Sequence, residues 1–280
     1  MSAPATTRVV LLGTGAGPTP KAGRQPTAAV LLQGDAAYVI DCGNGVGLQL
    51  VRAGVALKTL RAIFITHHHL DHVADFGTLV AQAWSQLRAP VKLTGPPPLA
   101  RMAELYRELF SVDLKSRVTE EGRTPLEELM RVKEITGAGE CYADDQVKVT
   151  CLPVPHGAID YAFAYRFDCA DRSVVFSGDT ALSLDLADFA RGAHTLVHEA
   201  VFPSALHRLS PLGGAKLLAR IAGAHTSVEQ AAQVASRAGV AKLVLSPLAP
   251  ADGVTDDEWI AAARTGYAGE IVVGRDLLEV

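Results

Sequence analysis

Four side chains that can bind a metal ion lie within six residues of this sequence. The apolar residues 62–66 (AIFIT) predict a buried strand, and residues 67–72 (HHHLDH) follow it directly. The candidate ligands are His67, His69, Asp71 and His72. A tight loop after a strand can spread such side chains around one or two cations, as a continuous helix could not. Imidazole and carboxylate donors together suit zinc, iron or manganese, so the spacing predicts a metal site.

The motif THHHLDH resembles the signature of the metallo-β-lactamase fold superfamily. Other landmarks of that superfamily follow the same order: LLGTGAGPTP and YVIDCGNG resemble its first hairpins, and PVPH, SGDT, VHEAVF and AHTS come later. The resemblance runs from about residue 8 to the C-terminus and is nearest to the ribonuclease Z and arylsulfatase-like branch. It implies an αβ/βα four-layer sandwich, whereas hydrophobic patterning by itself predicts only an α/β chain of one domain.

The resemblance assigns metal binding to residues along much of the chain. The implied ligands are His67, His69, Asp71, His72, His156 and Asp179. His67, His69 and His156 would hold a first ion, and Asp179 would lie between that ion and a second. His68 is expected to point away and to pack or to support its neighbours. The expected cofactor is Zn²⁺, with one ion bound tightly, and Mn²⁺ or Fe are the alternatives.

The resemblance also implies a set of catalytic residues. These are Asp71, Glu199 and His225. In the resembled branch, the glutamate of the HEA motif and the later histidine pair near the leaving group. A carboxylate bonded to one imidazole nitrogen stabilises the charged ring, as a general acid requires. The alternative for His225 is a structural residue before the helix cap at Ser227, and for His198 both interpretations stay open.

One departure from the resembled branch concerns the second metal. That branch normally carries a histidine ligand after a late strand, in a segment such as LSH, whereas residues 245–247 here read LSP. Pro247 cannot bind a metal, so the second ion is expected to be weakly held or absent. Asp252 on the same loop is the alternative ligand. The departure also leaves open a non-catalytic binding module.

The composition predicts a globular protein with a sizeable core. The chain has 280 residues, of which 49% are hydrophobic and 20% charged. Its formal net charge is −4, whereas proteins that grip nucleic acid usually carry a basic surplus, so no nucleic-acid partner is expected. The four cysteines show no paired spacing, and no signal peptide or membrane-length apolar run is present. A cytoplasmic protein with no membrane partner is therefore expected.

Element patterning predicts hairpins first, then alternating strands and helices, in one domain over residues 1–280. A helix is predicted over residues 71–87, another begins at Ser210-Pro211, and a capping box at residues 227–230 begins a third. A helical insertion is predicted near residues 96–140, where it would act as a lid, a homodimer contact or a solvated surface.

These observations predict a metal-dependent hydrolase of a small ester: a lactone, aryl ester, phosphoester or sulfate ester. Ribonuclease Z inserts a long arm after its third motif, whereas residues 156–179 leave room for one hairpin, so that activity is not expected. A mononuclear iron dioxygenase, with two histidines and one carboxylate, is the alternative enzyme. The candidate substrate-selecting wall consists of Trp84, Tyr106, Phe110 and Phe202, and packing in the core is the alternative for these aromatic side chains.

Overall fold

Residues 6–208 and 214–280 are described by the computed structural model of the chain. Its strands are β1 (Arg8–Gly13), β2 (Ala28–Gln33), β3 (Ala36–Ile40), β4 (Leu60–Phe64), β5 (Val91–Gly95), β6 (Met130–Glu134), β7 (Gly139–Ala143), β8 (Val147–Pro153), β9 (Phe163–Cys169), β10 (Ser173–Phe176), β11 (Thr195–Val201), β12 (Lys242–Ala249) and β13 (Glu270–Val273). Its α-helices are α1 (Val46–Arg52), α2 (Leu70–Val73), α3 (Phe76–Ala83), α4 (Leu99–Leu109), α5 (Ser111–Glu121), α6 (Leu126–Leu129), α7 (Leu184–Phe189), α8 (Gly214–Ala224), α9 (Val228–Ala238) and α10 (Asp256–Arg264). The helix start predicted at Ser210-Pro211 lies outside the described residues.

The strands form two sheets, one from each half of the chain. The first has the order β1-β2-β3-β4-β5-β6, and the second has the order β13-β12-β11-β10-β9-β8-β7. In the first sheet β3 to β6 run parallel, and in the second β10 to β13 do so. Parallel strands end at the same edge of a sheet. The parallel strands therefore bring the loops that carry candidate ligands to the same edge of each sheet.

Three apolar cores separate four layers of structure. Between the sheets lie aromatic side chains such as Phe64, Tyr165 and Phe167, whose rings meet edge to face. Outside the first sheet, α1 and α3 bury residues such as Leu50 and Leu79. Helices α7, α9 and α10 cover the outer face of the second sheet. This arrangement confirms the predicted αβ/βα four-layer sandwich.

Residues 96–140 supply both helices and sheet. Helices α4, α5 and α6 lie in this region, and β6 pairs in parallel with β5 at the edge of the first sheet. In α4, Leu99 and Ala103 are buried, whereas Leu105 and Leu109 are exposed. A single domain with an insertion here stays a prediction. No helix within residues 6–208 and 214–280 is long and apolar enough to cross a membrane.

Two local features show how the loops of the site are fixed. The helix predicted over residues 71–87 is divided into α2 and α3, and Asp75 between them accepts a hydrogen bond from Gly45 N at 2.7 Å. The capping box predicted for α9 is confirmed, because Ser227 Oγ accepts from Gln230 N and the Gln230 side chain accepts from Ser227 N.

Candidate functional site

The candidate residues come together where loops leave the two sheets. Residues 67–72 follow β4, His156 follows β8 and Asp179 follows β10. Glu199 lies within β11, and His225 lies between α8 and α9. Because the sheets pack face to face, side chains that are distant in the sequence form one site.

Three imidazoles converge on one point. His69 Nδ1 lies 2.9 Å from His67 Nε2 and 3.1 Å from His156 Nε2. The far nitrogens have partners of their own: His67 Nδ1 lies 3.0 Å from Thr66 Oγ1, and His156 Nδ1 lies 2.9 Å from Ala224 O. Burial lowers the pKa of His67, and it lowers the pKa of His156 to about 4. Both rings are therefore neutral at physiological pH, as metal ligands must be.

A second group of donors surrounds His72. Its Nε2 lies 3.4 Å from Asp179 Oδ2 and 3.6 Å from Asp71 Oδ2. Among residues 6–208 and 214–280, His72 Nε2 and Asp179 Oδ1 are buried atoms without a hydrogen-bond partner. Buried polar atoms are seldom left unpaired, and a cation between these two would satisfy both. The donors present therefore fit a metal cofactor.

Asp41 holds His72 from the opposite side. Its Oδ2 lies 2.8 Å from His72 Nδ1, and the same carboxylate accepts hydrogen bonds from Thr66 N at 2.8 Å and Thr66 Oγ1 at 2.9 Å. A carboxylate on Nδ1 fixes the ring so that Nε2 faces the metal position. The sequence prediction does not include Asp41. Its signal is a single buried aspartate directly after β3.

Pro247 lies beside the donors around His72, although it cannot bind a metal. It lines a cavity of about 30 Å³ together with His72 and Asp179. A bulge in β12 at residues 246–247, opposite Glu199, accounts for a proline within a sheet. This part of β12 therefore lies beside the site without supplying an imidazole.

Asp252, the alternative ligand, lies elsewhere. It is exposed and lines a surface depression with Arg24 and Arg275. The donors around the second position are therefore one histidine and two carboxylates in the described part of the chain.

Glu199 and His225 form a pair beside Asp179. His225 Nδ1 lies 2.9 Å from Glu199 Oε2 and 3.8 Å from Asp179 Oδ2, while Glu199 Oε1 accepts a hydrogen bond from Thr180 N at 2.6 Å. Burial raises the pKa of Glu199 to about 7. Burial opposes charge on His225, but the two carboxylates outweigh it and raise its pKa to about 9. The ring therefore keeps a proton that it can donate near neutral pH.

An open pocket of about 440 Å³ leads from the surface to these groups. Its walls carry the cations Lys21 and Arg220 and the apolar side chains Leu217 and Ile221. Its floor includes His69, Asp71, Asp179 and His225. A volume of this size accommodates a small molecule or one nucleotide of a longer chain.

The predicted aromatic wall does not line this pocket. Trp84 is buried and donates from Nε1 to Thr124 O at 2.8 Å. Phe202 packs edge to face against Trp259, and the rings of Tyr106 and Phe110 pack against each other at a tilt. Packing explains these four aromatic side chains, and the pocket wall is instead formed in part by α8.

Solved structures with this architecture place the chain in the class of metallo-β-lactamase fold proteins. The metallo-β-lactamase fold protein YhfI from Bacillus subtilis matches with a TM-score of 0.73 and 21% identity, over 98% of each chain. Human tRNase Z, short form, matches with a TM-score of 0.72 and 19% identity, also over 98% of each chain.

Sequence similarity identifies the branch of this class to which the chain belongs. Ribonuclease Z of Mycobacterium sp. (strain KMS) is 34% identical over 279 residues, covering 97% of this chain and 95% of that protein. A family model described as Anti-Pycsar protein Apyc1 matches residues 7–211. The chain therefore belongs to the metallo-β-lactamase fold superfamily, in its ribonuclease Z branch, and it is a hydrolase of that fold.

These comparisons overturn two predictions made from the sequence. A small ester substrate and the exclusion of nucleic acid are both wrong, because near full-length relatives are named Ribonuclease Z. The absence of a long arm after the third motif does not argue against ribonuclease Z activity, because those relatives align with this chain over 95–97% of their own length. The net charge of −4 does not argue against nucleic acid either, because the local charge at the pocket mouth, where Lys21 and Arg220 lie, differs from the sum over the chain.

Proposed function

We propose that this protein is a metal-dependent phosphodiesterase that cleaves RNA, with tRNA as the first substrate to test. The observation that carries the proposal is the Glu199–His225 pair, 2.9 Å apart, beside the buried carboxylate of Asp179. This places a proton donor next to a metal-binding group, as hydrolysis with a poor leaving group requires. The ribonuclease Z names of the relatives select RNA among phosphodiesters.

In this proposal the imidazoles of His67, His69 and His156 hold the first ion, and Asp179 faces both metal positions. A bound divalent ion supplies charge stabilisation at the phosphoryl group and an acidified water. Thr180 N fixes Glu199, and Glu199 keeps His225 protonated and oriented. His225 then donates its proton to the oxygen of the departing nucleoside.

The two metal positions are proposed to be unequal. The first offers three neutral nitrogens, whereas the second offers one imidazole and two carboxylates, of which Asp179 is shared. Pro247 occupies the place of the missing nitrogen donor. Zn²⁺ suits the first position, and activity is expected to rise when Zn²⁺ or Mn²⁺ is supplied in excess.

The test is cleavage of a tRNA precursor, of single-stranded RNA and of the matching DNA, each with added Zn²⁺ or Mn²⁺. We expect RNA cleavage that chelation abolishes and that metal restores. Turnover of bis(4-nitrophenyl) phosphate serves as a control for a working metal site. Hydrolysis of that small diester without cleavage of any RNA would disprove an RNA substrate.

A further inference from the structure

Helix α8 forms one wall of the pocket and is joined to two site histidines. Leu217, Arg220 and Ile221 line the pocket from this helix. The last residue of α8, Ala224, accepts a hydrogen bond from His156 Nδ1 at 2.9 Å, and His225 follows it directly. A group bound by α8 is therefore held close to both histidines.

Arg220 faces the outer edge of a candidate metal ligand. Its Nη2 lies 3.5 Å from His69 Nε2, while His69 Nδ1 faces His67 and His156. If His69 binds a metal through Nδ1, its Nε2 must carry the proton and can only donate. The guanidinium of Arg220 also has donors only. Two donors at this distance from each other favour an acceptor that both can reach.

That acceptor is not a carboxylate of the described protein. Arg220 is exposed and makes no ion pair within residues 6–208 and 214–280, whereas many other arginines, such as Arg117 and Arg237, do. Lys21 lines the same pocket, where its Nζ donates to Gly17 O at 3.2 Å and Thr19 O at 2.9 Å. The pocket mouth thus presents cations to an anionic ligand.

We propose that Arg220 binds the phosphate next to the scissile phosphate of an RNA substrate, as a specificity-determining residue. Arg220 Nη2 lies 3.5 Å from His69 Nε2, on the other side of the ring from the nitrogen that faces His67 and His156. The scissile phosphate must approach that nitrogen's side, and the neighbouring phosphate is the group left for Arg220. A guanidinium binds phosphate oxygens in a fork, and His69 Nε2 adds a further donor.

The apolar side chains of α8 complete this subsite. Leu217 lies one turn before Arg220, and Ile221 follows Arg220 directly. Both side chains line the pocket from α8. They offer an apolar surface to the nucleoside between the two phosphates. This inference rests on the proposed RNA substrate and adds the prediction that a linear polynucleotide is preferred over a single small diester.

The experiment compares Arg220→Ala with Lys216→Ala, which removes an equal charge from the same helix outside the pocket lining. For Arg220→Ala we expect kcat/KM on single-stranded RNA to fall about 10- to 100-fold, mainly through KM, since a charge-assisted bond is lost. The loss of kcat/KM on bis(4-nitrophenyl) phosphate, which has no neighbouring phosphate, should be smaller than the loss on RNA by about tenfold or more. Arg220→Lys should recover part of the RNA activity, because it restores the charge without the fork.

A second readout does not depend on turnover. The full chain with its metal bound is titrated with a labelled RNA oligonucleotide that resists cleavage, at several salt concentrations, and binding is followed by fluorescence anisotropy. The slope of log Kd against log salt should become shallower by about 0.7 in Arg220→Ala, the value for one phosphate contact on a single strand. Lys216→Ala should leave the slope unchanged.

The outcomes separate the two proposals. If the unmodified protein cleaves RNA but Arg220→Ala matches Lys216→Ala in KM and in salt slope, Arg220 does not bind a phosphate. If Arg220→Ala lowers turnover of RNA and of the small diester equally, the neighbouring-phosphate assignment is wrong. If the unmodified protein cleaves no RNA while it hydrolyses the small diester, the proposed function fails, and this inference fails with it.

Discussion

Carboxylates placed behind histidines organise this site at the scale of single residues. Asp41 holds Nδ1 of His72, and Glu199 holds Nδ1 of His225. Each carboxylate fixes one nitrogen and leaves the other for the site, and for His72 that nitrogen lies toward Asp71 and Asp179. The motifs indicate His72 and His225 because sequence landmarks surround them. They do not indicate Asp41, because its bond to His72 joins residues that are 31 positions apart and arises only on folding.

The proton-donor role proposed for His225 predicts a dependence on the leaving group. His225→Ala should lower kcat on RNA by about 100-fold or more, because the departing nucleoside oxygen needs a proton. The loss should be smaller on bis(4-nitrophenyl) phosphate, whose nitrophenolate leaves without one. Glu199→Gln should act in the same direction with a smaller effect. Steady-state kcat on both substrates measures this, separately from the KM effect expected for Arg220.

The control for this prediction is His194→Ala, which removes an exposed imidazole outside the site. It should keep wild-type kcat on both substrates. If His225→Ala and Glu199→Gln also keep wild-type rates on both, His225 serves only the start of α9.

The position of Asp41 predicts a selective effect on the second metal. Asp41→Asn should weaken the second ion by about 10- to 100-fold, since the supporting carboxylate of a ligand histidine is lost, and the first ion should stay. Metals per chain are counted by mass spectrometry after dialysis against graded chelator. Asp75→Asn is the matched control, because Asp75 also holds a loop but belongs to neither metal group.

Two results would count against this picture. Two tightly held ions in the unmodified protein would contradict the weak second position that Pro247 predicts. Equal loss of both ions from Asp41→Asn would show that Asp41 supports the whole site rather than His72.

At the scale of elements, short-range patterns were predictable and long-range ones were not. The capping box at Ser227 is a local hydrogen-bond pattern, so the sequence alone indicates it. The division of the helix predicted over residues 71–87 depends on Asp75, whose carboxylate is bonded to the loop before α1. The choice between core and pocket wall for the four aromatic residues stayed open for a related reason, because only the folded chain shows which ring is packed and which faces the pocket.

The two capping boxes predict how element stability relates to function. Ser227→Ala and Thr255→Ala each remove a cap, and each should lower the free energy of unfolding by about 1 kcal/mol. Only Ser227→Ala should also lower kcat, because α9 begins three residues after His225 and the neighbouring Thr226 Oγ1 donates to Thr180 O at 2.6 Å. Urea unfolding and steady-state kinetics measure both quantities. Equal kcat in the two variants would show that the start of α9 does not position His225.

At the scale of the whole molecule, the candidate metal site joins the two halves of the fold. His67, His69 and His72 come from the first sheet and its loops, whereas His156 and Asp179 come from the second. The two sheets also share an aromatic core, so the fold does not depend on the metal alone. A bound ion adds a link between sheets that the packing of the core does not provide.

Removal of the metal should therefore lower the melting temperature without unfolding the protein at room temperature. An ion at about 100 times its Kd stabilises the folded state by roughly 3 kcal/mol, which corresponds to a shift of roughly 5–10 °C in a chain of this size. Scanning calorimetry with and without chelator measures the shift. His156→Ala removes a first-ion ligand from the second sheet, so its melting temperature should be low and insensitive to chelator, whereas His194→Ala should respond as the unmodified protein does. A chain that holds metal before chelation and melts at the same temperature after it would show that the ion does not link the sheets.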